Sequence, residues 1–278
     1  MIKKIINADD FGISPGVNQA ISEAHRDGIL NSTSIMINLK YVDNALKLAQ
    51  SMPNLNIGLH INLTNEYALS PREDIYLLVD EKGKFKNGFV NLLFLSLQHP
   101  KELKKQVETE IRAQIQKATT LGIKLSHIDS HRHIHMIPAI FDVVKKLADE
   151  YKIPRIRVVN ENIFNTLKHN KDTSYLFDGG LIKYAILRTL AFYNNYKTDT
   201  YFYSILYTCK LGRERFRKLK IPAKYKAIEI GIHPGHPTVD KNYIKDVFDD
   251  NILNQYRETE YQTLIDKSVL EEISGNDN

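Results

Sequence analysis

The chain has a single cysteine, Cys209, among 278 residues, so no internal disulfide can form and dithiol redox chemistry finds no support. Cys209 sits in an apolar stretch, where a buried structural thiol is expected. Long apolar runs are missing as well. The longest, Phe89 to Leu97, is interrupted by Asn91 and has about half of the ~20 residues needed to cross a bilayer. The N-terminus turns acidic at Asp9-Asp10 before a signal-peptide apolar region has accumulated. A soluble cytoplasmic protein without membrane contact is expected. The net charge is only +5, and basic residues are interleaved with acidic ones, so no nucleic-acid partner is expected. There is no recognisable nucleophile elbow, no linker rich in Pro, Gly or Ser, and no repeat of fixed period.

What is present is an ordinary globular composition, 42% hydrophobic and 26% charged. The length suits two small modules or one α/β barrel. Short β-branched runs alternate with longer amphipathic stretches, the pattern of βα units around a parallel sheet. Strands are predicted at Lys3 to Asn7, Ser34 to Asn38, Asn56 to Leu63, Leu125 to Asp129, Arg155 to Val159 and Lys226 to Ile232. Helices are predicted from Pro15, at Val42 to Gln50, Pro100 to Leu121, Pro138 to Tyr151, Leu181 to Tyr193 and Gln255 to Lys267. Residues 64–99 read as a long excursion broken by Pro71, Gly83 and Gly88, and 160–200 is the least regular stretch. With no linker, one domain over residues 1–273 is expected, followed by a disordered tail at 274–278.

Polar clusters stand at the ends of predicted strands: Asn7-Ala8-Asp9-Asp10-Phe11-Gly12, Gly58-Leu59-His60-Ile61-Asn62, and the stretch from His127 to His135. The C-terminal ends of parallel strands converge on one face, so a site built from all three is geometrically reasonable. Four of the ten histidines fall between His127 and His135. In an extended segment Asp129, His131, His133 and His135 share one face. For His133-Ile134-His135 taken alone, a solvated polar strand end explains the pattern about equally well. Adjacent Asp9 and Asp10 point in different directions, so one can hold a metal while the other faces substrate as a base. In isolation such a pair is more often a turn or cap. His60 lies in an otherwise apolar strand, where a lone histidine is usually a hydrogen-bonded core residue. With Asp10 and one histidine of 131–135 it completes a His-His-carboxylate set suited to a catalytic divalent metal. His233-Pro234-Gly235, after a strand, forms a turn that aims His233 over the same face.

The motifs NADDFG, GLHINLT at 58–64, HIDSHRHIHM at 127–136 and EIGIHPG at 229–235 together resemble the YdjC-like carbohydrate deacetylases, the ChbG/HpnK family. The resemblance implies a TIM-like (β/α) barrel, distorted or incomplete, that deacetylates N-acetylated sugars or oligosaccharides with one divalent metal, often Mg²⁺. Zn²⁺, Co²⁺ or Mn²⁺ also suit such ligands. Position by position, it implies Asp10, His60 and His131 as metal ligands, Asp9 as catalytic base and His233 as acid. His133 and His135, with Asp129, would lie nearby as supporting or substrate contacts. Arg157 and Glu161 fall where the family often has an Arg and a Glu after a strand, within less similar surroundings. The 160–200 region departs most from the pattern and leaves the choice of sugar open. Alternatives are another metal-dependent barrel enzyme, a phosphoesterase or sugar isomerase, and a non-catalytic carbohydrate-binding protein. A homodimer is expected only from the commonness of such assemblies.

Overall fold

The first strand, β1 (Lys3–Phe11), is buried from Ile5 onward, as befits a strand covered on both faces in a parallel sheet. The protein is represented by a computed structural model describing residues 2–170, 172–216, 219–243, 249 and 251–275. After β1 come β2 (Ser32–Ile35), β3 (Asn56–Ile61), β4 (Ile128–Ser130), β5 (Thr200–Tyr203), β6 (Leu219–Ile221), β7 (Ala227–Ile232) and β8 (Ile273–Gly275). Six of them form one sheet in the order β4-β3-β2-β1-β7-β5, every pairing parallel.

Helices connect the strands: α1 (Pro15–Asp27), α2 (Val42–Ala49), α3 (Phe89–Gln98), α4 (Pro100–Thr120), α5 (Pro138–Glu150), α6 (Ile163–His169), α7 (Gly180–Asn194), α8 (Pro237–Tyr243) and α9 (Tyr256–Ile265). Local sequence sets their boundaries. The Ser14 side chain accepts the Val17 N–H, and Pro15 occupies the first turn of α1, where its missing donor costs nothing. Helix α4 buries Leu103, Val107, Ile111 and Ile115 at helical spacing, and the chain turns away at Gly122, whose φ is +82°.

The two edges of the sheet are linked. Ile128 donates to Arg155 O at 2.9 Å and Arg157 donates to Ile128 O at 3.0 Å, so residues 155–157 lie alongside β4. On the other edge, the Asn160 amide donates to Thr200 O and accepts from Phe202 N, both at 2.8 Å, against β5. Among the described residues the main sheet has six strands plus this segment, not the eight of a complete TIM barrel, and β6 and β8 pair apart from it. The expected strand at 155–159 reduces to one bridging residue, Ile156, because its second edge is satisfied by a side chain.

Other expectations shift. The apolar run at 89–97, within the expected irregular excursion, is helix α3. Strands β5 and β6 were not expected. They span only four and three residues, too few to show an alternation of apolar and polar positions. Of the expected disordered tail, Ser274 and Gly275 belong to β8, which pairs in parallel with β6, and 276–278 fall outside the described residues. No described helix is long and apolar enough to cross a membrane.

Candidate active site

The site forms where β1, β3, β4 and β7 end. In regular β structure Asp9 and Asp10 would face opposite sides. Between Ala8 and Phe11 the register with β2 slips, and Asp10 adopts φ +71°. The slip turns both carboxylates toward one cluster while giving them different partners.

Asp10 meets the two histidines. Its Oδ1 lies 3.0 Å from His131 Nδ1 and 3.4 Å from His60 Nε2. Ligand atoms of Asp10, His60 and His131 all lie within 4.8 Å of one another, and all three residues are buried. The far nitrogen of each ring is held by another carboxylate. His60 Nδ1 lies 2.7 Å from Asp129 Oδ1, and His131 Nε2 lies 3.0 Å from Asp249 Oδ2. Such outer partners fix the ring orientation and direct the opposite lone pair inward. Burial opposes charge on His60, but Asp129, Asp9 and Asp10 outweigh it and raise its pKa to about 10. His131 is likewise raised against burial by Asp10 and Asp249. A cation at the centre would take the place of these protons, so two imidazoles and one carboxylate fit a divalent metal.

Asp9 turns the other way. Arg157 NH1 and NH2 donate to its two oxygens at 2.7 Å each. The same guanidinium reaches Asp129 Oδ2 at 2.6 Å and Glu229 Oε1 at 2.7 Å. Burial alone would raise the Asp9 pKa, but Arg157, with His60 and His233, holds the carboxyl far below the usual range. Asp9 therefore stays ionised and accepting. Ser34 Oγ sits among the acids, donating to Asp129 Oδ2 at 2.9 Å. His233 Nε2 lies 3.7 Å from Asp9 Oδ2. Its backbone N–H donates to Glu260 Oε2 at 2.6 Å, and its Nδ1, 3.8 Å from the same oxygen, has no hydrogen-bond partner. Burial opposes the imidazolium, whereas Cys209, Glu260 and Asp9 favour it and hold the pKa well above 6.5.

The segment after β4 departs from the expected extended face. Residues His131–Met136 coil into a turn with φ of +55° at Arg132 and +54° at His133, so Asp129, His131, His133 and His135 do not line one strand. His135 is tied down, with Nε2 3.0 Å from Arg157 O and Nδ1 2.5 Å from Ser130 Oγ. His133 is different. It is buried against Phe202, its Nδ1 lacks a partner, and burial keeps it neutral. His127 packs on the backbone of Gly58, where a Cβ would come within 2.3 Å of the ring. Glu161 lies apart from the metal-type cluster. It accepts from Thr166 Oγ1 at 2.6 Å and from the Ile205 N–H, and burial pushes its pKa up to about 6. Cys209, expected to be buried, is partly exposed and lies beside His233.

Three participants have no place in the sequence motifs: Asp249, Glu260 and Arg257. Arg257 NH2 donates to Asp10 Oδ2 at 2.7 Å, while its buried NH1 is unpartnered. A faint signal existed for two of them, since Arg257 and Glu260 are three residues apart and share one face of α9. Asp249 offered none.

The YdjC-like protein family profile matches residues 3–274. The chain belongs to this family. Among its relatives are two proteins named carbohydrate deacetylase, from Brevibacillus brevis and Thermoanaerobacter pseudethanolicus. The first is 41% identical over 153 residues, covering 55% of this chain and 58% of the relative. The second is 41% identical over 150 residues, covering 54% and 58%. The matched stretch thus spans less than two thirds of these relatives' length. A crystal structure from Enterococcus faecalis V583, provisionally described as a cellobiose-phosphate cleavage protein, superposes with a TM-score of 0.69. It is 27% identical and covers 98% of this chain and 94% of that one.

Proposed function

We propose that this YdjC-like protein is a metal-dependent carbohydrate deacetylase that hydrolyses the N-acetyl group of an amino sugar or its oligosaccharide. The observation that carries this reading is the convergence of Asp10, His60 and His131 at one point, with Asp9 and His233 beside it. The names of the curated relatives support the choice of reaction. Asp10, His60 and His131 would hold the ion, with Mg²⁺ the first candidate and Zn²⁺, Co²⁺ and Mn²⁺ the others. A divalent cation held there supplies Lewis acidity, lowering the pKa of water and polarising the acetyl carbonyl.

The chain's own groups divide the remaining work. Asp9 accepts the proton of the attacking water through its carboxylate, which Arg157 keeps ionised and oriented. His233, kept protonated by its acidic surroundings, delivers a proton to the leaving nitrogen, so the sugar departs as a neutral amine and acetate is the other product. His133 offers an unpartnered neutral nitrogen for substrate. Asp129 and His135 serve as supports, and all four motifs serve one domain.

The test is to strip the purified protein with chelator, restore each metal singly, and measure acetate release from N-acetylglucosamine oligomers. Acetate release that returns with metal is expected. Turnover of a phosphoester or a sugar isomer in its place, with no acetate from any acetylated sugar, overturns the reading.

A further inference from the structure

Helix α4 carries a polar row inside its buried face. Among the apolar residues it turns to the core stand Gln106, Glu110 and Gln114, spaced to lie one above the other and fully buried. A buried polar side chain is costly unless its polar atoms find partners. Here the partners are backbone groups of the excursion at 62–77, which among the described residues has a single β-bridge, Tyr67 with Lys84. Gln106 Oε1 accepts from Leu77 N at 2.8 Å, and Glu110 Oε2 accepts from Ser70 N at 2.9 Å. Gln114 grips Asn62 with both ends of its amide. Its Oε1 accepts from Asn62 N at 3.2 Å, and its Nε2 donates to Asn62 O at 2.7 Å. The helix thus satisfies backbone groups that a neighbouring strand would otherwise pair.

From Gln114 the contacts run on to the metal-type cluster. Asn62 Oδ1 accepts from the N–H groups of Thr64 and Asn65 at 3.1 and 3.0 Å, and its Nδ2 donates to Asn65 O at 2.7 Å, which closes the 62–65 turn. Asn65 is thereby fixed. Its Nδ2 donates at 3.0 Å to Asp249 Oδ2, the oxygen that lies 3.0 Å from His131 Nε2. Gln114, Asn62, Asn65, Asp249 and His131 are all buried. Gln106 holds the same excursion at Leu77, away from this line of contacts.

We infer that Gln114 is a positioning residue for metal binding, setting through Asn62 and Asn65 the Asp249 carboxylate that holds the His131 ring. The inference rests on the proposed metal site of Asp10, His60 and His131. Losing the direct outer partner of a metal-ligating histidine typically weakens binding about 10–100-fold. Gln114 acts through intermediate residues, and Asp249 keeps the Asn251 N–H, so the loss falls at the low end. Residues within one hydrogen-bonded network couple, so losses along it do not add.

Isothermal titration of the metal-stripped full chain with Mn²⁺ tests this. Gln114→Met keeps the length and removes both bonds to Asn62, and should bind about 3–10-fold more weakly. Asn65→Ala should weaken binding at least as much, and the double variant no more than Asn65→Ala alone. Gln106→Met removes an equally buried amide from the same helix face. It should keep wild-type affinity even where its urea midpoint falls as far as that of Gln114→Met. If Gln114→Met fails to fold, Gln114→Glu takes its place, keeping an acceptor for the Asn62 N–H but losing the donor to Asn62 O, and should still bind more weakly. Wild-type affinity in the folded Gln114 variant, an equal loss in Gln106→Met, or additive losses in the double variant overturns the inference and leaves the metal site standing. A wild type that binds none of Mn²⁺, Mg²⁺, Zn²⁺ and Co²⁺ overturns the metal site, and the inference with it.

Discussion

Asp249 stands 118 residues from His131 in sequence, yet its Oδ2 lies 3.0 Å from the Nε2 of that ring. Asn65 Nδ2 donates to the same oxygen at 3.0 Å, and the backbone N–H of Asn251 donates to the other at 3.0 Å. The carboxylate is therefore fixed before it fixes the imidazole. Asp129 does the same for His60, so each histidine that would face a metal is backed by an acid.

Replacing Asp249 with Asn keeps the shape but removes the charge that favours a directed His131 lone pair. Metal affinity should fall about 10–100-fold, the usual cost of losing such an outer partner. Isothermal titration with Mn²⁺ or Co²⁺ measures it directly. Unchanged affinity in a folded variant would show that Asp249 has no part in metal binding.

Asp9 and Asp10 are neighbours with different partners and should fail differently. Asp10→Ala should weaken metal binding. Asp9→Asn should keep the metal and lose about 10²–10⁴-fold in kcat, the range of a lost general base. Equal loss of metal in both would refute the division of roles.

Arg157 is fully buried and is the cation that Asp9, Asp129 and Glu229 share. Arg157→Met leaves these carboxylates without their shared cation, a change that typically costs about 3–5 kcal/mol. Urea unfolding should show that loss, and it should shrink at low pH as the carboxylates become protonated. A variant as stable as wild type at pH 7 would mean that Arg155, which also pairs with Glu229, carries the balance.

His236 gives a pH dependence remote from the metal-type cluster. Burial opposes its charge, but Glu258 and Glu23, each 2.9 Å from a ring nitrogen, raise its pKa above 6.5. The folded state therefore binds this proton more tightly than the unfolded chain. Its contribution is complete below the unfolded pKa and disappears as pH rises through the folded value. Thermal melts of wild type and His236→Gln should differ most near pH 5 and converge above the raised pKa. A difference that grows with pH would contradict the assignment.

Much of the scaffold was legible because periodicity is local. Strands β1, β3 and β7, and helices α4, α5, α7 and α9, appear close to where alternation and helical spacing put them. What escaped was set by contacts across the chain. The 131–136 segment coils with His135 bonded to both Ser130 and Arg157 O, which no alternation pattern encodes. The link across 155–160 rests on the side chain of Asn160, invisible to a search for strands.

The sequence by itself determined where the candidate site residues would stand. Asp9, Asp10 and His60 lie in the last residues of β1 and β3, His131 and His233 directly follow β4 and β7, and parallel strands bring such ends to one face. Only the tertiary structure decided what surrounds them. Arg257 reaches Asp10 across 247 residues, and Asp249 and Glu260 back two histidines from distant segments. A hydrogen bond between residues so far apart leaves no periodic trace in sequence, because each partner needs only one position and the fold supplies the rest.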